Sequence, residues 1–353
     1  MTVEFIWQLP TRGDSRPGDA QESRRGERQP QQPRRQSAAS DPRGNRFNYF
    51  DYLHQVARAA ELSGFDGVQI PDDIQGEEPW IVAGYIARGT RRLKLLTGFD
   101  ASRGSAVYAA KNSVTYQRYT GGRLAWQIGR GGSDAERRQR GDFLPAEKIP
   151  ARIHEFLAVA RGVIDNAPFD FKGDYFEVFE GGFRGPLGQQ PAPEAYLGGN
   201  DKAALTLSAS TADVHVFDAE APATLKAHID ALTALTKTAG RELRLGLRID
   251  VLTRETEEEA LFDAQRYLAQ TKPGANPGDS VFWPGLSEAA TGAHATLVGS
   301  YEQVADALAA YAALGISSFL LAAAPHFEEA YRIGELLLPA LRPRLAGDSR
   351  VAA

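Results

Sequence analysis

Arg248 and Asp250 stand two residues apart inside the apolar run Leu245–Leu252. On a strand that spacing puts both on one face. A guanidinium and a carboxylate so placed either neutralise each other or divide a ligand between them. Further carboxylates, Asp72, Asp73, Asp100 and Asp218, follow or end other short apolar runs. If these ends share one mouth, that mouth is acidic, and burying a carboxylate beside an anionic substrate is costly. The expected substrate is therefore a neutral or cationic small organic molecule. The alternative for several of these aspartates is a helix cap, or an ion pair with Arg12, Arg103 or Arg248.

Gly198-Gly199-Asn200 closes one apolar run and opens a helical pattern. Backbone N–H groups at such a turn can cradle a phosphate; the triplet also reads as an ordinary turn with an Asn cap. Arg130, followed by Gly131 and Gly132, is either a fork for phosphate oxygens or a surface residue in a glycine-rich loop. His326 follows Pro325 and reads more as a loop-fixing side chain than as an acid–base group. Trp283, beside Phe282, either reaches the mouth or caps the core. His54, His154 and His228 fall on outer helices, His215 within a strand and His294 in a late loop. None is paired at metal-ligand spacing, and no metal is expected.

Elements must bring these residues together. Short apolar runs bounded by turn residues predict strands at Glu4–Leu9, Gly67–Ile70, Leu93–Thr97, Leu124–Ile128, Ala195–Leu197, Val214–Phe217, Leu245–Leu252 and Ser318–Leu321. Helical patterns fall between them at Tyr49–Ser63, Pro79–Gly89, Val107–Tyr119, Ile149–Asn166, Lys202–Ser210, Pro222–Thr238, Glu257–Gln270 and Tyr301–Leu314. This alternation predicts an α/β fold of the (β/α)8 TIM-barrel type, whose strand ends carry the chemistry. An open doubly wound sheet is the alternative. The expected organisation is a single barrel domain over 1–345 and a flexible tail at 346–353. A mobile insertion is expected at about 12–46, where large apolar side chains are nearly lacking. It is either a lid over the strand ends or a surface insertion. Phe169 to Pro193 has the look of a small β-hairpin, and Lys272 to Thr296 reads as a Pro/Gly-rich loop.

Composition narrows the class. The chain has 353 residues, 42% apolar and 24% charged, with a net charge of −5 and no cysteine. Disulfides, thiolate nucleophiles and cysteine metal sites are excluded. There is no basic footprint for nucleic acid or acidic membranes. The expectation is a cytoplasmic enzyme with neither signal peptide nor membrane span, acting on a small molecule and forming a homo-oligomer, a dimer or tetramer.

Several segments then match one family pattern. They are Trp-Gln-Leu-Pro-Thr-Arg-Gly-Asp at 7–14, Gly-Phe-Asp-Gly-Val-Gln-Ile-Pro at 64–71, Arg-Arg-Leu-Lys-Leu-Leu at 91–96 and Thr-Gly-Gly-Arg at 120–123. Tyr-Leu-Gly-Gly at 196–199, Leu-Gly-Leu-Arg at 245–248, Thr-Leu-Val-Gly at 296–299 and Pro-His-Phe-Glu-Glu-Ala-Tyr-Arg at 325–332 continue it. The chain resembles the bacterial luciferase-like flavin monooxygenases, and among them most the alkanesulfonate monooxygenase branch. The resemblance implies a barrel with insertions, reduced FMN (FMNH2) delivered by a separate flavin reductase, and O2 captured as a flavin C4a-peroxide. It implies that Gly198, Gly199 and Asn200 contact the phosphate, and that Gln127 takes the place of a flavin-bonding Asn. It also implies a strained non-prolyl cis peptide near Gly98.

The departures from that pattern concern the substrate. Arg12 stands where the branch has His, Gly76 where it has Cys, Asp250 where it has His and Ala324 where it has Tyr, while Arg248 is retained. Asp218 or its neighbour replaces a Trp. The frame for flavin persists and much of the sulfonate-handling set does not. The expected site is thus Arg12, Arg248 and Asp250 for chemistry, and Gly98, Gln127, Arg130, Gly131 and Gly198–Asn200 for the cofactor. Asp72, Asp100, Asp218, Trp283 and His326 are expected to face the substrate. Two other readings stay open: a deazaflavin-dependent oxidoreductase of the same superfamily, and a non-catalytic flavin-binding protein.

Overall fold

Phe5, Ile6, Trp7 and Gln8 are all buried, as a parallel strand covered on both faces requires. The computed structural model describes residues 3–14, 48–102, 104–271, 281–284, 286 and 295–347. Its strands are β1 (Glu4–Gln8), β2 (Gly67–Ile70), β3 (Lys94–Asp100), β4 (Leu124–Gly129), β5 (Phe169–Lys172), β6 (Glu177–Gly181) and β7 (Ala195–Gly198). They continue with β8 (Val214–Asp218), β9 (Arg244–Arg254), β10 (Phe282–Pro284), β11 (Ala295–Ser300) and β12 (Ile316–Ala322). Parallel pairing runs β1–β2–β3–β4–β7–β8–β9–β12 and returns to β1. The sheet is closed, and it is the expected (β/α)8 barrel rather than an open sheet.

The outer shell begins with α1 (Tyr49–Leu62), α2 (Pro79–Ala87), α3 (Ala106–Thr120), α4 (Asp134–Gln139), α5 (Ile149–Asp165) and α6 (Lys202–Thr211). It is completed by α7 (Pro222–Ala239), α8 (Glu257–Thr271), α9 (Tyr301–Ala313), α10 (His326–Arg332) and α11 (Leu338–Gly347). Local chemistry sets their ends. Asn48 with Asp51, and Ser300 with Gln303, form reciprocal caps on α1 and α9. Gly121 ends α3 at φ +71, a left-handed conformation that favours glycine. Among the described residues no helix is long and apolar enough to cross a membrane.

The barrel interior is layered. At its lower end Lys94 Nζ lies 2.6 Å from Glu4 and 3.0 Å from Glu194, while Arg244 pairs with the same two carboxylates at 3.2 and 2.8 Å. Above this plug Ile6, Leu96, Ala125, Val214 and Leu320 form a small apolar cluster with Tyr196. The opposite strand faces, with Trp7, Trp126, Phe217 and Phe319, pack against the helices. Each such fully buried side chain contributes roughly 1.5–3 kcal/mol.

Four expectations about the elements change. Strand β3 runs to Asp100, so this aspartate is a strand residue. β11 pairs in parallel with the part of β9 from Asp250 to Arg254, a strand that the apolar-run reading missed. Asp14, assigned to the mobile insertion, is 5% exposed and anchored to His326; the rest of that insertion, 15–46, lies outside the described residues. Helix α11 reaches Gly347, so the first two residues of the span expected as a tail are helical; 348–353, Arg103, 272–280, 285 and 287–294 lie outside the described residues. The hairpin expected after Phe169 is present as antiparallel β5–β6.

Candidate active site

The C-terminal ends of β2, β3, β4, β7, β8 and β9 surround a cleft of about 700 Å3, within the usual range for small-molecule sites. Its floor is made of amides. Gln69 Nε2 on β2 donates to Gln127 Oε1 on β4 at 2.9 Å. Between them β3 presents Gly98, which pairs with Gln127. A Cβ on Gly98 would lie 2.9 Å from Ile70 O and 2.7 Å from Asp72 N, so only glycine fits this approach. Gln69 is 2% exposed, and its Oε1 accepts no hydrogen bond.

The walls are built of ion pairs. Arg248 Nε and Nη2 donate to Asp218 Oδ1 at 3.1 and 2.7 Å. Arg140 Nη1 donates to Asp72 Oδ2 at 2.7 Å, with both side chains nearly buried. Arg130 forks onto Asp201 at 3.2 and 2.6 Å. Arg137 bonds Gly132 O and pairs with Asp134. Among the described residues, each guanidinium lining the cleft thus already faces a carboxylate. Asp100 differs from the other acids: it is 2% exposed, and its Oδ2 has no hydrogen-bond partner. Burial pushes its carboxyl above the ordinary range, against the hydrogen bonds of Ser102 and the charge of Arg152.

Of the residues read from sequence, the cleft brings together Asp72, Gly98, Asp100, Gln127, Arg130, Gly131, Gly198, Gly199, Asp218 and Arg248. The others lie elsewhere. Asp250 is 1% exposed and lines a separate void of about 30 Å3 with Tyr267, Thr296, Arg254 and Glu329. Arg248 takes its carboxylate from Asp218, which sits opposite it in register, rather than from Asp250. Arg12 lies 3.8 Å from Asp73, outside the cleft lining. Trp283 is buried with Ala260, Ala264, Leu268, Leu286 and Val298, so it is core. His326 is 1% exposed; its Nδ1 lies 3.1 Å from Asp14 Oδ1, and Tyr52 also bonds Asp14. Burial opposes ionisation of Asp14, but His326 and Tyr52 hold its carboxyl below the ordinary range. This cluster ties the loop after β1 to the start of α10.

The phosphate cradle expected at 198–200 is partly used by the protein itself. Gly199 N–H donates to Val216 O at 3.1 Å. Asn200 Nδ2 donates to Asp218 O and Glu220 Oε1, and its Oδ1 accepts from Asp218 N–H. The cap of α6 is Asp201, not Asn200, and neither Asp72 nor Asp73 caps α2, which starts from Glu78. The peptides near Gly98 are not cis; the two cis peptides among the described residues precede Pro168 and Pro325.

Sequence reasoning missed Gln69, Arg137, Arg140 and Asp201. Gln69 carried a signal, a polar residue inside the apolar strand Gly-Val-Gln-Ile, as Gln127 does in Trp-Gln-Ile. Arg137 belongs to a short helix and Arg140 ends it, and no periodicity marks so short an element.

The luciferase-like monooxygenase family profile matches residues 4–318. Similar solved structures include the EDTA monooxygenase of Chelativorans sp. BNC1, at TM-score 0.74 and 16% identity over 98% of this chain and 94% of that one. A riboflavin lyase with modified FMN and riboflavin superposes at TM-score 0.73 and 16% identity, covering 98% and 92%. An F420-dependent secondary alcohol dehydrogenase superposes at TM-score 0.68 and 16% identity, covering 97% and 100%. At such identities the likeness speaks for the fold.

Proposed function

The chain belongs to the luciferase-like monooxygenase family, and on that premise we propose that it is an FMNH2-dependent monooxygenase acting on a small organic substrate other than a simple alkanesulfonate. In this reading a separate flavin reductase supplies the cofactor and O2 is the co-substrate. The observation that carries the substrate class is the pairing of Arg130, Arg137, Arg140 and Arg248, the cleft guanidiniums among the described residues, with carboxylates. The exposed Arg130–Asp201 pair is assigned to the flavin phosphate, so a sulfonate would have to open one of the others, and the nearly buried Arg140–Asp72 pair is costly to separate.

The residues fit a flavin. Gln69 and Gln127 offer amide groups to the polar edge of a heterocycle, and the unpartnered Gln69 Oε1 invites an N–H donor. The phosphate falls to Arg130, whose pair with Asp201 is the exposed one, at 33% and 53% side-chain exposure. An exposed pair is worth at most about 1 kcal/mol and opens readily. Bound there, reduced FMN supplies the electrons with which one oxygen atom is inserted and the other becomes water. The chain's own part is to hold the heterocycle on the amide floor and to border the substrate space with the neutral Asp218–Arg248 pair.

Anaerobic titration with reduced FMN tests this reading, with the reduced deazaflavin F420 in parallel. Saturable FMN binding followed by substrate-dependent oxygen uptake supports it. Binding of the deazaflavin alone would favour the oxidoreductase reading instead.

A further inference from the structure

The Arg130–Asp201 pair differs from the Asp72–Arg140 and Asp218–Arg248 pairs in where its two partners stand. Asp72, Arg140, Asp218 and Arg248 all line the cleft, whereas Arg130 lines it beside Gly198, Gly199 and Ala203 and Asp201 does not. Nη1 and Nη2 of Arg130 donate to Oδ1 and Oδ2 of Asp201 at 3.2 and 2.6 Å. The guanidinium lies against the turn at Gly199, where a Cβ would come within 2.6 Å of Nη2 and 3.4 Å of Cζ. Its position is therefore set by the glycine it lies on and by the carboxylate it grips.

Asp201 is held from a second side. Its Oδ1 also accepts from Ala204 N–H at 3.0 Å, as the cap of α6. Burial opposes ionisation of Asp201, but Arg130 and the N–H groups at the start of α6 hold its carboxyl below the ordinary range. A carboxylate fixed in this way offers the guanidinium two coplanar oxygens, as a phosphate would. The two anions cannot both take Nη1 and Nη2. With side-chain exposures of 33% and 53%, the pair is a shallow one that an incoming anion can open.

We propose that Asp201 is a built-in competitor for the flavin phosphate, holding the Arg130 fork until a phosphate displaces it. The inference rests on the flavin reading of the cleft, in which FMNH2 arrives from a separate reductase and oxidised FMN must leave. A competitor carried on the same chain is always at hand. It lowers phosphate affinity by the factor that favours the pair, about fivefold. The heterocycle does not meet this competition, so Asp201 also narrows the preference for FMN over riboflavin. Its effect is to let go of the cofactor as readily as the chain takes it up. No bond is broken and no electron moves.

The test has two arms and two variants, Asp201→Asn and Asp201→Ser. Both replacements still cap a helix, and circular dichroism checks the fold. The first arm titrates inorganic phosphate at mildly alkaline pH, read by phosphorus NMR line broadening. Each variant should bind phosphate about fivefold more tightly than wild type. Adding Asp201→Asn to Arg130→Ala should bring no such gain. Phosphate affinity no tighter than wild type in both variants overturns the proposal. So does a gain of the same size without Arg130, which would be a diffuse effect of charge. The second arm measures oxidised FMN and riboflavin by flavin fluorescence. FMN should bind about fivefold more tightly to the variants and riboflavin as it does to wild type; equal gains for both flavins overturn the proposal. If neither wild type nor variants bind FMN, the proposed function fails while the phosphate arm still decides the role of Asp201.

Discussion

Gln69 and Gln127 come from strands that are not neighbours, yet their amides join at 2.9 Å across β3 at the level of Gly98. This bond closes the floor of the cleft and fixes the orientation of both side chains. It also leaves one amide oxygen, Gln69 Oε1, buried and without a hydrogen-bond partner.

Replacing either glutamine with Leu removes one partner and leaves the other amide unsatisfied. Each single variant should lose about 1–3 kcal/mol of unfolding free energy in urea. The double variant should lose less than the sum, because the pair acts as a unit. Strict additivity would show that the two amides are not coupled.

Gly199 has φ +119, and a Cβ there would lie 2.6 Å from Arg130 Nη2. Gly199→Ala should displace Arg130 and weaken FMN binding about tenfold, as Arg130→Ala should, with the fold intact by circular dichroism. If Gly199→Ala binds FMN as wild type does, Arg130 is not the phosphate partner.

The barrel was legible in the sequence because its strands are buried on both faces and read as apolar runs between turns. β11 was not, since it adds to the portion of β9 beyond its barrel pairing and lies next to a Pro/Gly-rich stretch. The carboxylate-rich mouth was legible too, but its pairings were not. Spacing along β9 suggested Arg248 with Asp250, whereas strand register sets Asp218 opposite Arg248. Ligand-facing and packing roles also look alike in a sequence: Trp283 and His326 are both buried away from the cleft, one in an apolar cluster and one on Asp14.

His215 is fully buried, with Nδ1 at 2.7 Å from Ser208 Oγ, and burial lowers its pKa from 6.5 to about 4. Below pH 6.5 the unfolded chain binds the proton more tightly than the folded one, so stability falls as pH falls. Between about pH 6.5 and 5 the loss should approach 2 kcal/mol. Urea unfolding of His215→Asn should show a flatter profile in this window; an unchanged slope would remove His215 as its source.

Asp14 has its carboxyl held below the ordinary range by His326 and Tyr52, against the effect of burial. Its contribution is present above the unfolded carboxylate pKa and is lost as pH falls through the folded value. Asp14→Asn should cost about 3 kcal/mol at neutral pH and flatten the acid limb of the stability curve. Wild-type stability in the variant would show that the tie to His326 is incidental.

The central claim is a flavin monooxygenase whose cleft guanidiniums, among the described residues, are each paired with a carboxylate and so disfavour an anionic substrate. The most direct measurement is oxygen uptake by the protein supplied with reductase-generated FMNH2, comparing octanesulfonate with neutral organic candidates. The account predicts saturable binding of reduced FMN, no sulfite release from octanesulfonate, and coupled oxygen uptake only with a neutral or cationic substrate. Efficient desulfonation of octanesulfonate by the wild-type protein would contradict it.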